Sequence, residues 1–215
     1  MLRGAEVELF EEDLRPFRNY KERYNPFETA SDAEFFACHR FPKAVFRDLL
    51  DILEPGINRA TRRSHALEPI VQLCVGVRYL AQGGFLPMIG DLYGISPRAA
   101  SNCIHSVTQA ICDRMDRFIT WPDMEGVNRV KLDFYNANRH RFPCITGLID
   151  GTQVEINTPH RPYNEAAYIN RKGYHAINAQ VVCERKMKIF NLDARWPGFT
   201  HDSFMLRNSH VWDKF

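Results

Sequence analysis

The sequence predicts an α+β chain in which a helical N-terminal region, residues 1–142, is followed by a mixed β-sheet region, residues 143–215. Three observations carry that prediction. Before Pro143 the apolar residues recur at steps of three and four, the period of a helix face. After Pro143 the period falls to two, and Ser, Pro and Gly stand where helix caps and strand turns need them.

The totals bound what the chain can be. With 215 residues, 45% hydrophobic and 12% aromatic, there is ample material for a packed core. Its 28 basic and 26 acidic residues leave a net charge of +2, so nucleic-acid binding cannot be argued from total charge and has to come from local patches. The six cysteines, with no C-x-x-C pair, suit neither a zinc knuckle nor a dense disulfide framework and fit reduced thiols in cytosol or nucleus. The opening MLRGAEVELFEEDLR carries acids where a signal peptide needs an apolar run. The longest apolar segment, Ile70 to Ala81, is interrupted by Gln72, Gly76 and Arg78. Neither export nor a membrane span is expected.

Ser31 and Glu34 form S-x-x-E, the capping-box pattern, and predict a short helix through Phe35 and Phe36. Pro42 stands where a first helical residue belongs. Phe46, Leu49, Leu50 and Leu53 then make one amphipathic helix that Pro55-Gly56 is expected to stop. Pro69 opens another, with Ile70, Leu73, Cys74 and Val77 on one face and Gly83-Gly84 at its end. A short apolar segment, Met88, Ile89 and Leu92, ends at Gly94. Ser96-Pro97 caps a long helix striped by Ala100, Cys103, Ile104, Val107 and Ile111. Val127, Val130, Phe134 and Ala137 mark a last helix.

Residues 86–115 therefore have the layout of a helix-turn-helix, with Arg98, Ser101, Asn102, His105 and Gln109 on the exposed face of the second helix. Arg98 and Asn102 are its candidate DNA contacts. An ordinary helix pair in a bundle fits the same residues, and one arginine is thin for a recognition helix. The basic run from Arg59 to His65 is a second candidate phosphate contact, or a solvated loop.

Beyond Pro143, Cys144 to Ile149 reads as a central strand buried on both faces and ending at Asp150-Gly151. Gln153 to Ile156 reads as a short strand. Tyr174 to Cys183 alternates with Ile177, Ala179, Val181 and Cys183 on one face, and Met187 to Trp196 is its hairpin partner across Glu184-Arg185-Lys186. Trp196-Pro197-Gly198 turns the chain toward a helix that begins near Asp202.

Asp150 at a strand tip and Asp202 after the hairpin are placed so that their carboxylates can meet. Hard Mg²⁺ or Mn²⁺ prefers carboxylate oxygen, and a pair of such ions hydrolyses phosphodiesters. An Asp-Gly turn and a helix N-cap are the plain structural alternatives for these two residues.

Three blocks, GLIDGTQVEI (Gly147 to Ile156), YINRKGYHAINAQVVCE (Tyr168 to Glu184) and WPGFTHDS (Trp196 to Ser203), resemble in order and spacing the PIF/Harbinger family of DDE transposases and the nucleases domesticated from it. SDAEFFACHRFPKAVFRDLL and GDLYGISPRAASNCIHSV resemble the same family's N-terminal region, so the likeness covers nearly the whole chain. The resemblance implies an RNase H-like nuclease domain over residues 143–215, dependence on Mg²⁺ or Mn²⁺, and a triad of two aspartates and a glutamate. Its first two acids fall on Asp150 and Asp202. The third lies beyond a GDSGY-like block with no counterpart here; Asp213 does not match it and Asp193 is a spare carboxylate, so the expectation is a domain truncated before its third acid. Arg171 and Lys172, inside the second block, are candidate DNA contacts beside the metals. His201 is expected either near the metals or in a structural hydrogen bond, and Trp196 is expected to pack over the sheet edge. The family also works with a separately encoded Myb-like DNA-binding partner, and the corresponding location is nucleus and cytoplasm. Two functions remain open: a metal-dependent DNA endonuclease, or a non-catalytic remnant that binds DNA or protein.

Overall fold

The computed structural model describes residues 21–58, 65–137, 142–160 and 162–214; the expected basic contacts Arg59 to Ser64 and the acidic N-terminal stretch lie outside them. The chain divides into two compact units, the first ending at Asp113 and the second beginning at Arg114.

The first unit is helical: α1 (Pro26–Thr29), α2 (Asp32–His39), α3 (Lys43–Ile57), α4 (Pro69–Gln82), α5 (Leu86–Tyr93) and α6 (Pro97–Cys112). Its centre is α4, in which every residue from Val71 to Val77 is buried. Around it pack Phe35 and Phe46, edge to face at 4.9 Å, with Leu53, Tyr93, Cys103 and Val107. The expected punctuation is present. Ser31 and Glu34 form the capping box, Ser96 accepts from the Ala99 N–H, and Gly83 and Gly94 close α4 and α5 with positive φ.

Two expectations for α3 need correction. Pro42 is the N-cap, one residue before the helix, and Pro55-Gly56 does not stop it. Pro55 removes one N–H donor and crowds the Asp51 carbonyl, and the helix runs only two residues further, to Ile57. Burial of Ile57 extends the apolar stripe a further turn, and Asn58 closes it by donating to the Glu54 carbonyl at 2.8 Å.

The second unit contains α7 (Met115–Phe118), α8 (Met124–Ala137), β1 (Leu148–Glu155), α9 (Glu165–Tyr168), β2 (Ala176–Cys183), β3 (Ile189–Pro197) and α10 (Asp202–Arg207). The helices α7 and α8, grouped by the sequence with the helical region, thus fall with the sheet. That sheet has three strands in the order β1-β2-β3, antiparallel at both pairings among the described residues, where a mixed sheet was expected. Val182 and Phe190 pack with Val211, flanked by Trp121 and Leu206.

The strand expectations are corrected in two places. Residues 143–147 form no strand, and β1 begins at Leu148, runs through Asp150-Gly151 without a break and is largely exposed. Among the described residues it pairs with β2 alone, so its apolar residues do not gain the double-sided cover that a central strand has. On β2, Ile177, Val181 and Cys183 are only half-buried, while Ala176, Asn178, Gln180 and Val182 of the other face are buried. The central strand is covered on both sides, and its polar face has the deeper cover.

Candidate active site

Asp202 is the first residue of α10, not its cap. His201 occupies the cap position and makes no side-chain capping bond. The Asp202 carboxylate lies over Gly151 of β1: a Cβ built there would stand 3.0 Å from Asp202 Oδ1. Asn178 of β2 reaches up from beneath, its Nδ2 donating to Asp202 Oδ1 at 3.1 Å and to the Thr200 carbonyl at 3.0 Å. The register explains this approach, since Gly151 faces Gln180 and Gln153 faces Asn178, so these four residues share one face of the sheet.

Two pockets flank Asp202. One, of about 190 Å³, is lined by Asp150, Gly151, Gln180, Asp202, Ser203 and Met205, among others. The other, of about 210 Å³, shares Gly151 and Asp202 and adds Gln153, Asn170, Arg171, Lys172 and Asn178. Asp150 is exposed, and its Oδ1 accepts from the Gly151 N–H at 2.8 Å.

The basic loop is held by Asn170, whose Oδ1 accepts from the N–H of Lys172 at 2.9 Å and of Tyr174 at 3.3 Å. This turn leaves Arg171 and Lys172 exposed beside the second pocket. Arg171 donates from Nη2 to His201 Nδ1 at 3.1 Å, so His201 makes a structural hydrogen bond. Trp196 packs edge to face on Phe204 at 5.5 Å with the Arg195 guanidinium 5.0 Å from its ring. Asp193 is engaged by Arg195 at 3.2 Å.

Asp150 and Asp202 therefore line one pocket, and Arg171 and Lys172 line the neighbouring one that shares Gly151 and Asp202, while Arg98 and Asn102 stand exposed on α6 of the first unit. Sequence reasoning missed the amides. Among the described residues, buried side-chain atoms without a hydrogen-bond partner include Gln153 Oε1, Asn170 Nδ2, Asn178 Oδ1 and Gln180 Nε2, and all four residues line these two pockets. Their signal was readable: Asn178 and Gln180 are polar positions inside an otherwise apolar strand, and burying an amide is costly unless its site uses it.

Comparison with known proteins bears on this site directly. Residues 149–215, which hold both aspartates, match the family described as DDE superfamily endonuclease. The protein named "Putative nuclease HARBI1" of Bos taurus is 30% identical over 186 residues, 86% of this chain, and its human counterpart 29% over the same length. The chain belongs to the Harbinger-derived family. "Protein ALP1-like" of Arabidopsis thaliana is 23% identical to the Harbinger-derived chain over 138 residues, 64% of its length and 33% of the plant protein. The chain spans about half the length of the curated relatives it matches, 52% of the bovine protein. No solved structure matches it.

Proposed function

We propose that this Harbinger-derived chain carries part of a metal-dependent DNA endonuclease site, with Asp150 and Asp202 as oxygen ligands of Mg²⁺ or Mn²⁺ and Arg171 and Lys172 as contacts to the DNA backbone. The observation that carries the reading is the shared pocket: Asp150 and Asp202 line the same space, and Arg171 and Lys172 line the space next to it across Gly151. The donor set fits a hard cation, since the Asp150 and Asp202 carboxylates line one pocket and the unpartnered Asn178 Oδ1 belongs to a residue lining the other, beside Asp202. No group of three His, Cys, Asp or Glu able to hold a metal is present among the described residues. When bound, such ions supply an activated water and neutralise charge on the phosphate.

The chain's own residues do the rest. Arg171 and Lys172 draw in the phosphodiester backbone by displacing its counterions, and the Asn170 turn keeps both side chains at the pocket edge. The RNase H-like assignment of this domain rests on the family likeness and on three consecutive strands followed by α10. The helix-turn-helix reading of 86–115 rests on α5 and α6, joined by Gly94-Ile95-Ser96, with Arg98 and Asn102 exposed. The near-neutral charge fits delivery to DNA by a Myb-like partner.

The test is nicking of supercoiled DNA. Activity is expected with Mg²⁺ or Mn²⁺ and not with EDTA, and Asp150→Asn or Asp202→Asn is expected to abolish it; nicking that survives both substitutions removes the enzyme reading. The presence of two carboxylates at the pocket among the described residues, and not three, favours a second reading, a non-catalytic DNA-binding remnant. It predicts a salt-sensitive DNA complex, unchanged by either substitution, and no nicking.

A further inference from the structure

Asp202 is exposed, opens a six-residue helix and has a cap residue that contributes no side-chain bond, so α10 by itself does not fix its carboxylate. The geometry points to Asn178 as the residue that positions Asp202 for cation binding, a role that rests on the metal-site reading above. Asn178 is held from both sides, opposite Gln153 of β1 and Trp196 of β3 at the middle of the sheet. From that fixed base its Nδ2 bridges Thr200 O, at 3.0 Å, and Asp202 Oδ1, at 3.1 Å, tying the loop before α10 to the first residue of the helix. One carboxylate oxygen is thereby engaged and its rotamer restrained, while the carboxylate keeps lone pairs for a cation. An outer hydrogen bond that orients a metal ligand typically contributes about 10–100-fold to metal affinity.

A second observation is independent of that bond. Asn178 is 2% exposed, yet its Oδ1 has no hydrogen-bond partner. A buried amide oxygen without a partner is costly, and sheets normally fill such a position with an apolar side chain. Next to Asp202 and in a pocket that Arg171 and Lys172 also line, that oxygen is suited to the shell of a hard cation.

The test measures Mn²⁺ affinity of the whole chain through the relaxation rate of water protons, alongside DNA binding in EDTA and the unfolding transition. Asp202→Asn serves as the reference. Asn178→Leu keeps the branched outline, in a bulkier side chain, and deletes both polar atoms, and Asn178→Thr, a smaller and good strand former, is the second variant. The expected result is loss of Mn²⁺ binding in Asp202→Asn and weakening by about tenfold or more in both Asn178 variants, as for other outer partners of metal ligands. DNA binding without metal should stay at the wild-type level, and both variants should unfold in one cooperative transition whose midpoint is lowered by the lost hydrogen bonds but lies well above the assay conditions. Normal Mn²⁺ affinity in a folded Asn178 variant, with Asp202→Asn defective, overturns the positioning role and leaves the metal site standing. Normal affinity in Asp202→Asn overturns the metal site and this inference with it. If neither Asn178 variant folds, the side chain is structural and the positioning role is likewise overturned.

Discussion

Gly151 is the residue on which the candidate site closes. Any side chain there meets the Asp202 carboxylate, with Oδ1 at 3.0 Å and Cγ at 3.3 Å from a built Cβ. Gly151→Ala is therefore expected to displace Asp202 and weaken Mn²⁺ binding while barely moving the unfolding midpoint, because the strand is exposed; unaltered Mn²⁺ affinity would detach Gly151 from the site. In the other unit His39 is a residue whose protonation links folding to pH. It is buried, stacked on Phe35 at 4.1 Å, donates from Nδ1 to the Phe35 carbonyl at 3.0 Å, and accepts at Nε2 from the Tyr93 hydroxyl at 3.3 Å. Burial first, aided by the Arg78 charge, pushes its pKa below the usual 6.5. The unfolded chain then takes up a proton near 6.5 while the folded one resists. Stability is thus untouched above that pH and declines as pH falls from 6.5 toward the lowered folded value. Denaturant midpoints from pH 7.5 down to 5 should show this slope in the wild type and a flatter one in His39→Gln.

At the scale of elements, α4 and α6 approach closely because position 76 has no side chain. A Cβ on Gly76 would lie 2.7 Å from Cβ of Val107, a branched residue with no flexible end to yield. Gly76→Ala is expected to cost about 1–3 kcal/mol by overpacking, read as a lower urea midpoint with an unchanged slope. The helices were largely legible because their caps are local: Ser31 with Glu34, Ser96 with Ala99 and Gly94 after α5 are all decided within a few residues. Strand β1 was misread because the apolar run Cys144 to Ile149 carries no mark of how many neighbours it has. Its alternation also has a consequence for the site, since successive side chains leave opposite faces and Asp150 therefore starts from the face that Gly151 does not share. Comparing Asp150→Asn with Asp202→Asn separates the two roles. Equal loss of Mn²⁺ binding is expected if both carboxylates hold one cation, and loss in Asp202→Asn alone would confine the cation to the face of α10.

For the whole molecule, DNA contact can be divided between the two units by charge. Arg98→Ala on α6 is expected to weaken metal-free DNA binding and lower the salt slope by about 1, and Asn102→Ala to relax sequence preference. Unchanged binding in both would make α6 an ordinary bundle helix and leave the backbone contacts to Arg171 and Lys172. No helix among the described residues is long and apolar enough to cross a membrane. By itself the sequence determined the helical elements, the β2–β3 hairpin, the family and the residues worth testing, because caps, periodicity and block spacing are written in consecutive residues. Only the tertiary structure decided that β1 is an edge strand, that Asp202 hangs over Gly151, and that Asn178 holds it from two strands away. Those facts depend on register and on contacts between residues 24 to 51 positions apart, for which a linear pattern has no signal.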